Sequence, residues 1–486
     1  MSLQMDCLQF STCTFSSACG MASHTVEVNA SLKHEEPVPY RILGFEGEVL
    51  LSPTPCDDPA DPLNWPTWRR WTILGFLSLW AATCLATQSF ISNILPNIEV
   101  EFASASASNI NLLVTIITAV CAPSSLIFVP LVITYGRRFA LLVSNTILLV
   151  SVIWAALATS YSSFLGSRIL QAVGTAPSDA IVYIIVQDIS FLHERGKLMG
   201  VVLNQPERRG AMSTTQHKAM KHSAAYISNK SNFSLARQLN IWPGCACGQE
   251  GDFFFIYKRM GRLILNPTIW WNGILNATIT GGMVAYTTYF ANLLFAPPWS
   301  WPGEYIGLIN LAGVPVSLVN WLIFGWGSDW ILVTMAKKNK GISIPEHRLL
   351  VLVIPVAIAF ASYIGFGALA EQYLDSQLGV WQPHWFVLIF LHFCILVAFS
   401  GTLEVTYTYM ISTTDPTDSL AASTIVSILR GDVSFGISHG STAFIAQCGY
   451  MTAFSVYGTL VAVFGFMGIL VYKYGSHLRL YLRTEI

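Results

Sequence analysis

The sequence predicts an all-α polytopic membrane protein, and three observations carry that prediction. Of its 486 residues, 53% are apolar and only 11% are charged, where a soluble domain has about 25% charged. The mean hydropathy is +0.53. The apolar residues gather into long runs rather than the short alternating segments of a β-barrel. A net charge of −1 leaves no basic excess to attract nucleic acid. A disordered chain, a disulfide-rich secreted scaffold and an ordinary soluble enzyme are excluded on the same figures.

A helix needs about 20 mainly apolar residues to cross roughly 30 Å of hydrocarbon. Ten stretches meet that demand: 71–93, 110–132, 139–159, 164–187, 269–294, 304–327, 349–369, 384–410, 419–446 and 452–473. Lysine and arginine orient them. With a cytoplasmic N-terminus, every outer loop is free of Lys and Arg and carries only acids, among them Glu99, Glu101, Glu304, Glu371 and Asp375. Of the 26 basic residues, only Arg168 and Arg430 fall in the interior of a span. Adding or removing one span breaks this pattern. Both termini are therefore expected in the cytosol of a multi-pass protein, most simply in the plasma membrane.

The domain organisation follows. Residues 1–68 form a polar cytoplasmic tail with no signal peptide. Residues 69–203 hold a first half of four spans, and 204–266 form a polar, basic cytoplasmic tract. Residues 267–475 hold a second half of six spans, and 476–486 a short tail. Cys7, Cys13 and Cys19, and the pair Cys245 and Cys247, match no metal-ligand spacing and read as cytosolic thiols. Asn229 and Asn232 fit the glycosylation pattern, but the topology keeps them in the cytosol and unmodified. Tryptophans 65, 68, 71, 299, 301, 381 and 385 cluster at span ends, as an interfacial belt does.

Charged residues inside a span cost about 2.5–3.5 kcal/mol on insertion scales, so each calls for a reason. Arg168 and Asp179 lie eleven residues apart in the fourth span, nearly on one face and roughly 16 Å apart along the axis. Gln171, Thr175 and Ser178 share that stripe, and Gly174 with Pro177 predicts a kink. The stripe serves either interhelical packing or a cavity that handles substrate or a proton. In the fifth span Asn272, Asn276 and Thr280 recur at i, i+4 and i+8, and asparagine packs helices as readily as it lines a cavity. The eighth span holds Glu404 with Ser400, Tyr407 and Thr408 within one turn. A buried carboxylate of this kind can load and release a proton, or be a structural group bonded to Tyr407. Arg430 needs a partner, for which Glu404 and Asp432 are candidates. His392 reads as packing, and Gln88 and Asn93 add weaker polar positions in the first span. No phosphate-cradling glycine loop, Walker pattern or helix-face metal spacing occurs. No enzyme, no cofactor and no ATP-driven machinery is expected.

Several of these segments resemble the major facilitator superfamily, in particular its fungal proton-coupled multidrug and polyamine transporter-like members. The run from Asp61 through Trp65 and Trp68 to Arg70 resembles the approach to their first span. Tyr135-Gly136-Arg137-Arg138 resembles the end of the superfamily's loop signature. The fourth span from Ser167 to Asp179, and the run Asp188 to Lys197 with Glu194, Arg195 and Gly196, are similar to the family's next segments. Gly325 to Trp330, followed by Pro345-Glu346-His347-Arg348-Leu349, looks like the equivalent loop of the second half, and Ser434 to Ser438 resembles a late-span motif. The resemblance covers roughly residues 60–203 and 260–483.

It implies a helical bundle of two halves acting as a secondary transporter by alternating access. Asp179 and Glu404 would be proton or cation carboxylates. Arg168, Gln171, Asn272, Asn276, Tyr407 and Arg430 would belong to the substrate and proton path. Gly136, Arg137, Arg138 and Asp329 would form the cytoplasmic gate. The implied partners are the lipid bilayer, protons and a small organic solute, cationic or drug-like, handled by a monomer.

Two departures matter. The family has twelve spans, and this chain reads as four and then six, with spans five and six missing between Leu203 and Asn266. A splicing or gene-prediction fault and a truncated paralogue are both consistent with that gap. The superfamily also places an acid three positions before the glycine of its loop signature, and that position is Ile133. Two rival readings remain: a transport-inactive membrane protein that binds or senses, and a sugar or anion carrier of the same superfamily.

Overall fold

The computed structural model describes residues 62–102, 106–191, 194–204, 253–295, 300–301, 313–339, 342, 344–375, 385–414 and 418–485. The tail thiols, Asn229, Asn232, Cys245, Cys247 and the tract 205–252 lie outside the described residues, as does the start of the sixth expected span. The described elements are helical. A 3₁₀ turn, Pro62–Asn64, leads into α1 (Thr67–Glu101), α2 (Ala107–Tyr135), α3 (Arg137–Leu157), α4 (Tyr161–Thr175), α5 (Ser178–Ile189) and α6 (Arg195–Asn204). Helix α7 (Phe253–Ile264) stands between the halves. The second half comprises α8 (Pro267–Phe295), α9 (Gly313–Asn320), a π-helical turn Trp321–Trp326, α10 (Gly327–Lys338), a 3₁₀ segment Pro345–Leu352, α11 (Val353–Asp375), α12 (Trp385–Thr413), α13 (Ser419–Cys448) and α14 (Tyr450–Glu485).

Each of the ten stretches read from the sequence is helical over most of its described length. Among the described residues, eight of these helices are long and apolar enough to cross a membrane. The fourth stretch is broken into α4 and α5 at Ala176–Pro177, where the sequence predicts a kink. The fifth, α8, is 29 residues long but carries Asn272 and Asn276 in its interior.

Local chemistry sets the element ends. Ser106 and Ser160 cap α2 and α4 by accepting the Asn109 and Ser163 N–H groups at 3.3 Å. Gly136 and Gly449 turn the chain between paired helices at φ 86° and 81°, a region that favours glycine. The α14 start gains a further cap from the α11 carboxylate Glu371, which accepts from Tyr450 N at 2.7 Å and Met451 N at 3.2 Å.

Packing follows membrane rules, with small residues inward and bulky ones toward lipid. In α3, Ala140, Ser144, Leu148 and Ser151 are buried, while Leu149, Val150, Ile153 and Leu157 are exposed. The Ser144 hydroxyl donates to Gly174 O at 2.8 Å, and a Cβ on Gly174 would lie 2.8 Å from Leu148 N, so glycine lets α3 and α4 touch. Helix α13 is gripped on two sides. Gly431 faces Ala122 and Thr118 of α2, and the α13 side chains Leu429 and Ile437 press on Gly273 and Gly281 of α8. One apolar cluster joins the halves, from Leu74, Ile117, Val182 and Met199 of the first to Ile269, Met410, Leu420 and Val426 of the second.

Candidate functional site

In the first half, the Arg168 side chain is 2% exposed. Its Nε donates to Leu113 O at 3.3 Å, and its Nη2 to Gln88 O at 3.2 Å. Its Nη1 donates to Thr87 O at 3.1 Å and to the Gln171 side-chain oxygen. The guanidinium fork is spent on carbonyls of α1 and α2, clamping three helices. Asp179 sits in the first turn of α5, and its side chain lies outside the described part. Arg168 and Gln171 are therefore brought together, and the helix break separates them from the Asp179 backbone.

In the second half, Asn272 and Asn276 are 1% and 0% exposed. Asn272 Nδ2 donates to Thr406 O at 3.0 Å, and Asn276 Nδ2 to Thr406 Oγ1 at 3.0 Å. Asn276 also bonds the Asn272 side-chain oxygen. Both asparagines thus fasten α8 to α12. His392, read as packing, does stack on Phe290 at 4.7 Å and contacts the Tyr286 hydroxyl through Nδ1 at 3.2 Å.

The halves meet at Tyr407 of α12. Its ring stacks on Tyr183 of α5 with centroids 4.1 Å apart and planes 6° from parallel. Its hydroxyl lies 3.2 Å from Ser427 Oγ of α13. Glu404, one turn earlier and 1% exposed, lies against Gly325, where an added Cβ would stand 3.0 Å from Glu404 Oε1 and 3.2 Å from Gly196 O. The carboxylate thus sits beside the contact between α6 and the π-helical turn. Arg430 is half-buried on α13, and Asp432 is exposed. An apolar void of about 10 Å³ beside Pro177, between α2, α5 and α13, is water-sized.

The end of the bundle holds the remaining expected residues. Asp329, on the first turn of α10, accepts Lys197 N at 2.7 Å, Gly196 N at 3.2 Å and Arg348 Nη2 at 2.8 Å. A second-half carboxylate thereby caps a first-half helix, where the free N–H groups and the helix dipole both favour an anion. Arg348, with a fully buried side chain, holds the carboxylate from the other side. On the first-half side, Gly136 turns the chain so that Arg137 pairs with Asp188 at the end of α5. That pair stays within one half, and Arg138 is exposed. The latch between the halves at this end is built from Asp329, not from the position of Ile133.

Sequence reasoning left Tyr183, Ser427, Thr406, Arg348, Asp188 and Gly196 without roles. Asp188, Gly196 and Arg348 do fall in motifs that the sequence singles out. Tyr183 and Ser427 carry no pattern of their own. Among the described residues, no three His, Cys, Asp or Glu side chains converge as a metal site.

Two halves of membrane-crossing helices, joined by an apolar seam and tied by the Asp329 contacts at one end, define a multi-pass membrane protein. Residues 72–203 match the family described as Major Facilitator Superfamily. Several relatives carry corresponding names. The MFS-type transporter atr4 of Stereocaulon alpinum is 24% identical, over 78% of this chain and 71% of that protein. Polyamine transporter 3 of Saccharomyces cerevisiae is 30% identical, over 29% of this chain and 22% of that protein. The match to this second relative thus spans under a quarter of its length. The crystal structure of the human organic anion transporter MFSD10 superposes with a TM-score of 0.52 at 10% identity, covering 83% of this chain and all of that one. At that identity the likeness is one of fold.

Proposed function

We propose that this protein is a secondary active transporter that moves a small organic, cationic or drug-like solute against protons by alternating access. The observation that carries the reading is the Asp329 cap on α6. It is a compact charged tie between the halves at one end of the bundle, of the kind a rocking motion makes and breaks. In this reading the Asp329 end is cytoplasmic, and Asp179 and Glu404 exchange the proton or meet the cation. Gln171, Tyr407 and Arg430 serve the path between them, while Arg168, Asn272 and Asn276 position the helices that form it. The engagement of Arg168 by three carbonyls and Gln171 leaves it poorly placed to receive an anion, which favours a cation over a sugar acid or other anion.

The test is uptake into proteoliposomes under an imposed pH gradient, with radiolabelled spermidine and a fluorescent organic cation as probes. Proton-dependent accumulation that Asp179→Asn abolishes is the expected result. Uptake unchanged in Asp179→Asn removes the proton assignment. A folded protein that accumulates neither probe under any gradient is the transport-inactive reading.

A further inference from the structure

We propose that α7 is an interfacial helix whose exposed cations, Lys258 and Arg262, bind the headgroup phosphate of an anionic phospholipid. The α7 sequence, from Phe253 to Ile264, is FFFIYKRMGRLI, with no acid anywhere in it. At 12 residues it is about 18 Å long, too short to cross a bilayer. Met260 is 4% exposed and, with Leu263, joins the apolar cluster that links the halves. Lys258 and Arg262 are exposed and one turn apart, so they share a face. The helix is therefore apolar toward the bundle and cationic away from it.

Two anchors set its depth. The Tyr257 hydroxyl donates to Leu126 O of α2 at 3.2 Å. That carbonyl is free because the residue four positions on is Pro130, which has no N–H to donate. Helix α2 has 29 residues, about 43 Å, so roughly 7 Å at each end extends past the hydrocarbon. Leu126 precedes Tyr135 by nine residues, about 13 Å, which places the anchor roughly 7 Å below the hydrocarbon boundary. An amphipathic interfacial helix lies at a depth of about 5–10 Å. At the other end of α7, the Trp270 indole donates to Ile264 O at 2.6 Å, and its ring is exposed. Tryptophan at that level is an interfacial anchor. The two cations are thus held at headgroup height, facing outward, on the side that the charge pattern assigns to the cytoplasm. Anionic lipids concentrate in that leaflet. The inference rests on that topological reading and not on proton coupling or substrate.

The experiment titrates purified full-length protein in detergent with phosphatidylserine, phosphatidylcholine, and inorganic phosphate as separate arms. Thermal unfolding and lipid-resolved native mass spectrometry are the readouts. Stabilisation and lipid adducts are expected with phosphatidylserine alone. Lys258→Gln/Arg262→Gln should weaken the phosphatidylserine response between about five- and thirtyfold, while Lys258→Arg/Arg262→Lys keeps it and controls for folding. Lys337→Gln/Lys338→Gln, at another basic helix end, should leave the response unchanged. An equal response in the neutral α7 variant, loss of response in the Lys337/Lys338 variant alone, or stabilisation by inorganic phosphate to the same extent overturns the proposal. None of these readouts involves transport, so failure here and failure of the transport reading are separate results.

Discussion

At the residue scale, the Asp329 carboxylate satisfies three donors in a buried place, and removing it breaks a buried ion pair with Arg348 and uncaps α6. Asp329→Ala should destabilise the fold by about 3–5 kcal/mol, read as a lowered midpoint of thermal unfolding in detergent. Gly196→Ala tests the same contact from the other side, because the new methyl would stand 2.7 Å from Asp329 Oδ1. Combined with Asp329→Asn it should be non-additive, as for any pair acting on one contact. How far single residues could be read in advance differs. Asp329 is legible through the resemblance of Gly325 to Trp330 to the superfamily's second-half loop signature, which implies a gate role for it. Asn272 and Asn276 are legible as a polar stripe, but their partner Thr406 is 130 residues from Asn276 and is not. Arg168 looks like a ligand for solute from sequence, and its true acceptors are main-chain oxygens, which no side-chain pattern reveals.

At the element scale, prolines and caps decide how helices join. Pro130 removes one N–H from α2, and Tyr257 of α7 takes up the carbonyl left over. Tyr257→Phe should cost about 1 kcal/mol, typical of one lost hydrogen bond. In a Pro130→Ala background, where the N–H returns to Leu126, the same change should cost close to nothing. A double-mutant cycle on thermal stability measures the difference. Glu371→Ala should weaken the α11–α14 corner by about 0.5–2 kcal/mol through loss of the cap on Tyr450 and Met451, seen as faster amide exchange at the start of α14. The helices themselves were legible, since run length and hydropathy locate them. The break at Ala176–Pro177 followed from the proline. The π-helical turn Trp321–Trp326 was not foreseen: such a turn depends on how Asn320 and Phe324 seat against α12, a tertiary matter.

At the scale of the whole molecule, α13 is the element on which both halves close. A side chain on Gly431 would meet the Ala122 Cβ at 2.4 Å and Thr118 O at 2.8 Å. Gly431→Leu should therefore force α2 and α13 apart and abolish uptake, while Gly436→Ala, at a position with open space, should be neutral in the same assay. Fold class and the two-half layout were readable because they follow from composition and charge placement. The seam was not, because it pairs glycines and side chains that lie hundreds of residues apart in the chain. That seam also has a schedule. Asn111 of α2 bonds Thr442 of α13, 331 residues later in the chain, at 3.0 Å. At about 5–20 residues per second of synthesis, α2 waits roughly 15–65 s in the bilayer before its partner exists. Throughout that interval Asn111 and the small-residue face around Ala122 stand open to lipid and to any other newly inserted helix. The vulnerable moment in this protein's life is therefore the half-minute in which its first half is complete and its closing helix is still unmade.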